Sequence, residues 1–387
     1  MSAARPQPRT VRVELGERGY AIEIGHGSLG GLGERVRRDL QPTRALVVTV
    51  PPVARRYGAA VMRSLREAGL QARRFEVPDG ERTKSLSRAA GLYDAMLEAG
   101  ADRGSVVIAL GGGVVGDLAG FVAATLLRGL PVVQVPTTLL AMVDSSVGGK
   151  TGVNVARGKN LVGAFHQPRL VWMDAATLRT LPARQLAAGL AEVIKHAAIR
   201  DEALFARLER DLPRILALEP EVLLPMLERS CAIKAEVVAL DEREAGLRML
   251  LNFGHTLGHA VEALAGYRGV LHGEAVAMGM VYAARRSEEL GFAPEGTRER
   301  LAALLARAGL PTALPERPRR AYLTAVGVDK KRRDARVRFV VLRGIGKAET
   351  VPLRPEEIVP PGALAGGART KAAPGRRRGA RRAGEGK

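Results

Sequence analysis

The chain contains six histidines, and three of them, His255, His259 and His272, fall within one stretch at 250–274, LLNFGHTLGHAVEALAGYRGVLHGE. His255 and His259 are four residues apart, so on a helix they share one face, a turn from each other. Gly254 and Gly258 precede them and clear space beside each ring. Neutral imidazoles grouped in this way are metal-ligand material, and a site needs a further carboxylate or imidazole from elsewhere. Taken alone, the pair reads better as two solvated or hydrogen-bonded histidines. His272, beside Gly273 and Glu274, moves the balance toward a metal. Upstream, AAGLAEVIKHAAI sets Glu192, Lys195 and His196 in an otherwise apolar helix, with Glu192 and Lys195 on one face. A surface ion pair would explain them blandly. A buried glutamate facing a cleft would be a metal ligand.

Two further stretches point to phosphate. SVVIALGGGVVGDLAGF, from 105, satisfies G-x-G-x-x-G at Gly111, Gly113 and Gly116, with a buried strand before it and a helix after. Such glycines let backbone approach a pyrophosphate at a helix N-terminus, although that fingerprint ordinarily opens the first strand of its domain. A tight strand-to-helix turn would use the same glycines. After VVQVP comes TTLLAMVDSSVGGKTGVNVARGKNLVGAFHQP, which holds Thr137, Thr138, Asp144, Lys150, Lys159 and Asn160 among many glycines. Small residues with two lysines predict a loop wrapping anionic groups. The competing reading is two solvated lysines and a plain turn at Gly148-Gly149. Lys234, Arg248 and the pair Lys330–Lys331 add positive charge.

The elements that must position these groups follow from periodicity. Residues 11–24 alternate around a glycine-containing turn and predict a β-hairpin. ALVVTV at 45–50, ARRFEV at 72–77, VVIAL at 106–110, VVQVP at 132–136 and residues 170–174 read as strands. Helices are predicted over about 53–68 and 86–98, each closed by a glycine, Gly69 and Gly100. Strand alternating with helix means a parallel sheet with crossover helices. From about Leu181 the texture turns helical, 276–310 reads as two more helices, and two strand-like runs follow Lys331.

Length and composition set limits. The 387 residues allow about two domains with ample core, and 46% hydrophobic with 26% charged residues is the balance of a globular protein. No apolar run reaches the roughly 18 residues of a membrane span, and MSAARPQPRT has no apolar core of a secretion signal. One cysteine, Cys231, excludes an internal disulfide, fits a reducing cytoplasm, and reads as a small packed hydrophobe. Of the net charge of +20, the segment 361–387 carries +7, with eight arginines and lysines against Glu385. It cannot bury a core, so it is expected to be a disordered basic tail. A nucleic-acid or other polyanion contact is conceivable only through this tail, and a solvated tail without a dedicated partner is the better reading. Truncation after Pro360 is therefore expected to leave function and melting temperature nearly unchanged. A large loss of either in the truncated protein would show that the tail belongs to the working fold.

Together these segments resemble the 3-dehydroquinate synthase family. The resemblance is carried, in unbroken order, by PDGERTK at 78–84, GGGVVGDLAGF at 111–121, PTTLLAMVDSSVGGKTGVN at 136–154 and GKNLVGAFHQP at 158–168. It continues through the AEVIKH helix, LNFGHTLGHA at 251–260, HGEAVAMGM at 272–280 and DKK at 329–331. It covers about residues 11–358. The resemblance implies an α/β N-terminal nucleotide-binding domain at 1–180 and an all-α, mainly helical metal- and substrate-binding domain at 181–360, with the active site in the cleft. It also implies a homodimer, no membrane, and NAD and a divalent metal, zinc or cobalt, as cofactors. The family cyclises 3-deoxy-D-arabino-heptulosonate 7-phosphate to 3-dehydroquinate with loss of phosphate, a step of the shikimate pathway, oxidising and re-reducing the substrate with no net redox change.

By that resemblance the metal ligands are Glu192, His255 and His272, and His259 faces substrate instead. Lys150, Asn160, Lys195, Lys330 and His259 would hold the phosphate end. Lys234, Arg248 and Asn252 would hold carboxylate and hydroxyls, Asp144 would complete the catalytic set, and Arg128 would reach across the dimer. No dedicated carboxylate base is assigned, because the leaving phosphate can itself take the proton. NAD contacts would run through Asp79, Gly80, Glu81, Arg82, Thr83 and Lys84, then Gly113, Val114, Val115, Gly116 and Asp117. Thr137, Thr138, Lys150, Lys159, Thr177, Leu178, Arg179 and Thr180 would complete them. One departure stands out: where the family often has acidic or amide residues against the adenosine, this chain has Pro51 and Pro52. The rivals are another sugar-phosphate cyclase of the same fold, and a metal-dependent polyol dehydrogenase that releases NADH. The set Lys150, Lys195, Lys234 and Arg248 favours a substrate with both phosphate and carboxylate.

Overall fold

The computed structural model describes residues 7–327 and 336–362. Lys330, Lys331 and the tail beyond Gly362 lie outside the described residues. The first half is a seven-stranded sheet in the order β1-β2-β9-β6-β5-β3-β4. β1 (Arg9–Val13) and β2 (Tyr20–Gly25) form the expected antiparallel hairpin. β3 (Arg44–Thr49), β4 (Gln71–Glu76), β5 (Val106–Gly111), β6 (Val132–Pro136) and β9 (Leu170–Asp174) pair in parallel, and β9 joins β2. β5 and β6 are buried along their whole length, which is why they read as unbroken apolar runs. Alternate residues serve opposite faces. Leu46, Val48, Val107 and Ala109 enter one core, and Ala45, Val47, Val106 and Ile108 the other.

The crossovers decide where a ligand can sit. β3 runs outward through a helical segment to the edge strand β4, and the chain returns through α4 (Leu86–Glu98) to β5. β5 then leads through α5 (Gly113–Thr125) to β6 on its other side. The connections therefore diverge at the boundary of β3 and β5, and open parallel sheets bind ligands at such a switch point, beyond the carboxyl ends of the strands. The glycine run of the sequence, Gly111 to Gly113, lies there.

Three local outcomes differ from the sequence reading. The helical segment after β3 begins two residues earlier than expected, as α2 (Pro51–Val53), with proline in the first turn where its missing N–H costs nothing. It continues through a π-turn at Ala54–Gly58 into α3 (Ala59–Glu67). α1 (Leu32–Leu40) was not expected, because LGERVRRDL shows few apolar residues, yet Leu32 and Val36 are buried. The predicted anion-wrapping loop is largely an antiparallel hairpin of β7 (Lys150–Val155) and β8 (Gly158–Phe165). A Cβ at Gly163 would stand 2.1 Å from Thr151 O, so the two strands approach too closely for a larger residue.

The second half is helical: α6 (Ala183–Arg200), α7 (Glu202–Leu216), α8 (Pro220–Leu240), α9 (His255–Leu264), α10 (His272–Glu289), α11 (Thr297–Arg307) and α12 (Arg319–Gly327). The two strand-like runs pair as β10 (Val337–Gly344) and β11 (Lys347–Leu353), followed by α13 (Pro355–Ile358). One continuous core joins β1, β2 and β9 to these helices. α6 runs through it, buried from Leu186 to Ile199. Among the described residues no helix is long and apolar enough to cross a membrane.

Cys231 sits in this core, with its Sγ 3.7 Å from Met142 O. Burial pushes its thiol up to about 12. At pH 8 the native protein is therefore expected to resist thiol reagents, and one equivalent should react only after denaturation. Rapid labelling of the native protein would contradict the packed role.

Candidate active site

A cleft of about 1660 Å³ opens between the sheet and the helical half. Its floor at the sheet end is the turn Gly112-Gly113 with the first turn of α5, flanked by Thr137, Thr138, Asp144 and Ser145. The far wall carries Asn252, His255, His259, Glu262 and His272.

The three histidines meet there. Their ring centroids stand 5.3 Å (His255–His259), 5.2 Å (His255–His272) and 6.1 Å (His259–His272) apart. His255 and His272 are brought together because each opens its helix, α9 and α10, and those helices pack closely. Behind them, α6 supplies Glu192. The Nε2 atoms of His255 and His272 each stand 3.8 Å from Glu192 Oε1. Glu192 is fully buried, and neither carboxylate oxygen accepts a hydrogen bond. The Lys195 ammonium stands within ion-pair reach of Oε2, but off hydrogen-bonding geometry. A buried carboxylate without a bonded partner, facing two imidazole nitrogens, is a donor set that fits a divalent cation.

Each imidazole is oriented from behind. His255 Nδ1 lies 3.3 Å from Phe253 O, and His272 Nδ1 lies 3.3 Å from Glu262 Oε2. Placing the proton on Nδ1 in each leaves Nε2 free to ligate. Burial, with Lys195 nearby, drives His255 well below its ordinary value. Burial acts the same way on His272, but the Glu262 bond and the Glu192 charge outweigh it and raise its pKa. A second triad, His259, Glu262 and His272, also has its ligating atoms within 4.8 Å. Glu262 is already occupied by His272 Nδ1, so the triad with Glu192, whose oxygens accept no hydrogen bond, is the better donor set. The cluster Asp144, Glu192 and His196 lies on the inner side. There Lys234 already bonds Asp144, so that carboxylate is answered by an ammonium group.

The close packing that sets this geometry depends on Gly273. A Cβ there would stand 1.9 Å from Ala188 O on α6, the helix that carries Glu192. Gly273→Ala must push α10 away from α6 and move His272 from Glu192. A loss of about 1–3 kcal/mol of stability is expected from such overpacking, with weaker metal retention. Wild-type metal content and melting temperature would contradict it.

Other expected residues fall into two groups. Asp79, Gly80, Glu81, Lys84, Gly113, Val114, Val115, Asp117, Lys159, Asn160 and Thr180 reach the cleft wall with those named above. Lys84 Nζ bonds Asp117 at 2.6 Å. The rest stand off the wall. Thr83, Thr177 and Leu178 are buried, and Arg82 and Arg179 are exposed away from it. Gly116 is needed for packing, since its Cβ would lie 2.8 Å from Gln134 Oε1. Lys195, Lys234 and Arg248 form a buried cationic layer beneath the wall. Lys234 Nζ donates to Asp144 O at 2.6 Å, and Arg248 Nη2 donates to Gly148 O at 3.2 Å. Burial alone would raise the Asp144 carboxyl, but Lys234 and Lys195 hold it well below the usual carboxylate range. Arg128 is exposed at φ 70°, away from this cleft.

Two residues escaped the sequence reading. Glu244 accepts Nδ2–H of Asn252 at 2.8 Å and the ammonium of Lys150. Burial works against its charge, but these two bonds lower its pKa. Glu262 carried a signal, three residues beyond His259 on the same helix. Glu244, in a run of acids at DERE, carried none.

Comparison with known proteins places these features. The family model of the 3-dehydroquinate synthase N-terminal domain matches residues 74–188, and that of the C-terminal domain matches 189–332. A 3-dehydroquinate synthase of Symbiobacterium thermophilum is 53% identical over 355 residues, covering 90% of this chain and 95% of that one. A 2-deoxy-scyllo-inosose synthase solved with carbaglucose-6-phosphate, NAD+ and Co2+ superposes with a TM-score of 0.80 at 26% identity, covering 92% of this chain and 100% of that one. The 2-epi-5-epi-valiolone synthase of Streptomyces hygroscopicus subsp. jinggangensis 5008, with NAD+ and Zn2+ bound, gives 0.80 at 30% identity, covering 89% and 96%.

Proposed function

The chain belongs to the 3-dehydroquinate synthase family, and we infer that it performs that reaction, converting 3-deoxy-D-arabino-heptulosonate 7-phosphate to 3-dehydroquinate and phosphate. The identity to a synthase of that name, against 26% and 30% to the inosose and valiolone synthases, favours this substrate over the rival cyclase reading. The observation that carries the reading is the facing of Glu192, His255 and His272 across the cleft from the Gly112-Gly113 turn. Phosphate release from the keto acid phosphate, dependent on added NAD and metal, tests it. Activity on that substrate is carbon–oxygen bond cleavage, so we assign a lyase.

When bound, the metal would polarise vicinal substrate oxygens and NAD would take and return a hydride. Glu192, His255 and His272 are the residues to hold the metal. Gly113, Val114, Thr137 and Thr138 stand where the dinucleotide would lie, at the switch point. His259, on the wall one turn from His255, faces the substrate space. Asn160 and Lys159 close the cleft from the β7–β8 hairpin, and Lys159 Nζ lies 4.4 Å over the Tyr267 ring on the opposite wall. Lys150 and Asn252 are held in place by Glu244 until an anionic substrate competes for them. The buried Lys195, Lys234 and Arg248 give the floor a positive field that suits a substrate with a phosphate and a carboxylate.

We assign a homodimer and a cytoplasmic setting as well. Arg128 and Leu127 both have positive φ, a constrained turn on the sheet side, and Phe165 is exposed on β8 at 50%. These support a second copy against that side, with Arg128 reaching the partner's cleft. Sedimentation should show a dimer, and Arg128→Ala should lower turnover without changing metal content. A monomer with full activity would remove the dimer and the role given to Arg128.

A further inference from the structure

The loop between α9 and α10 presents a tyrosine where its backbone would favour glycine. Tyr267 sits at φ 56°, in the left-handed region, between Gly266 at 60° and Gly269 at 78°. The conformation is held from both ends. Tyr267 N–H donates to Glu262 O at 2.8 Å on the α9 side. On the α10 side, Gly269 O accepts from Arg184 Nη2 at 2.7 Å, and Arg184 pairs with Glu274. The ring presented in this way is 54% exposed, so core packing does not account for it. Among the described residues its hydroxyl has no hydrogen-bond partner. What the ring touches lies across the cleft: Lys159 Nζ, 4.4 Å from its centroid.

The lysine arrives from the sheet half, on β8. Its end of the hairpin is tied to the turn after β4, because Asn154 Oδ1 accepts Asn160 N–H at 2.9 Å and Asn154 Nδ2 donates to Glu81 Oε1 at 2.8 Å. Among the described residues no carboxylate pairs with Lys159. Lys159 and Tyr267 both line the cleft.

We propose that Tyr267 is a positioning residue, whose ring face holds the Lys159 ammonium inside the cleft for a phosphate of a bound ligand, the dinucleotide's or the substrate's. A cation resting on an aromatic face keeps its charge available to an anion, whereas an ion pair would neutralise it. The ring also orders a long, flexible side chain before the ligand arrives, which lowers the entropy lost on binding. The proposal rests on the reading of the cleft as a site for phosphate-bearing ligands, and adds to it a residue of the helical half.

Tyr267→Gly removes the ring at a φ that glycine adopts freely, so melting temperature should hold or rise, with metal content as in wild type. The dissociation constant of NAD by titration calorimetry, or KM for the keto acid phosphate at saturating NAD, should rise by about fivefold, with kcat within about twofold. A rise in the dissociation constant alone assigns Lys159 to the dinucleotide phosphates, a rise in KM alone to the substrate phosphate, and a rise in both places it between the two. Tyr267→Phe keeps the ring face and should match wild type. In a Lys159→Ala background Tyr267→Gly should add nothing, because the two side chains act as one. Wild-type values of both constants in Tyr267→Gly overturn the proposal. So do a Tyr267→Phe as impaired as Tyr267→Gly, additive losses in the double variant, or a kcat that falls in step with binding. Each of these leaves the functional reading standing. A wild type that neither binds NAD nor releases phosphate overturns both.

Discussion

His255→Ala is expected to lower bound metal below one equivalent and to reduce turnover by on the order of a thousandfold. Chelation of the wild type should do the same, and zinc or cobalt should restore it. His272→Ala should behave like His255→Ala. His259→Ala separates the two possible triads: if Glu192, His255 and His272 hold the metal, it keeps its metal and loses turnover. Metal lost from His259→Ala but kept in His255→Ala would move the site to His259, Glu262 and His272. Because His255 is buried, the measurement needs a control for folding. Glu192→Gln supplies one, since it keeps shape while removing the charge that two imidazoles face. Full activity of His272→Ala without metal would remove the assignment altogether.

How much of this was legible in the sequence depends on what each element had to say locally. The central strands announced themselves, because β5 and β6 are buried on both faces and must be apolar throughout. The β7–β8 hairpin did not, because β8 is largely exposed and neither strand shows alternation or a long apolar run. α1 was hidden in the same way, with charge on most of its surface.

For the site, helical spacing found His255 and His259 but could not rank them against His272. Spacing reports which residues share a helix face, whereas the metal set is completed by a different helix, α6. Glu192 was legible as a glutamate in an apolar run. Its role shows only once both carboxylate oxygens are seen without bonded partners. The lysines were legible as charge, and their depth was not. The sequence reading placed Lys195 and Lys234 against substrate, and the fold sets them beneath the wall, paired with Glu192 and Asp144. A buried cation of this kind acts through the field it creates as well as through any contact.

That depth gives the second large effect. Lys195→Ala is expected to cut phosphate release from the keto acid phosphate by about a hundredfold, the scale of one lost electrostatic donor in a site that excludes water. The side chain is 1% exposed, so its charge is poorly screened. Metal content should persist in this variant, because Glu192 loses a competitor for its lone pairs and keeps both imidazoles opposite. Turnover lost while metal is retained separates a catalytic charge from a structural one. A parallel loss of metal and folding would make Lys195 a partner of Glu192 and nothing more. The same assay on wild type decides between the synthase and the dehydrogenase rival, since both would need NAD near the metal. A synthase releases phosphate at steady state while free NADH stays negligible, and omitting NAD stops phosphate release although none is consumed. A polyol dehydrogenase would accumulate NADH in step with turnover and release no phosphate. Its active site would also have no substrate phosphate or carboxylate for the positive field of Lys195, Lys234 and Arg248 to attract.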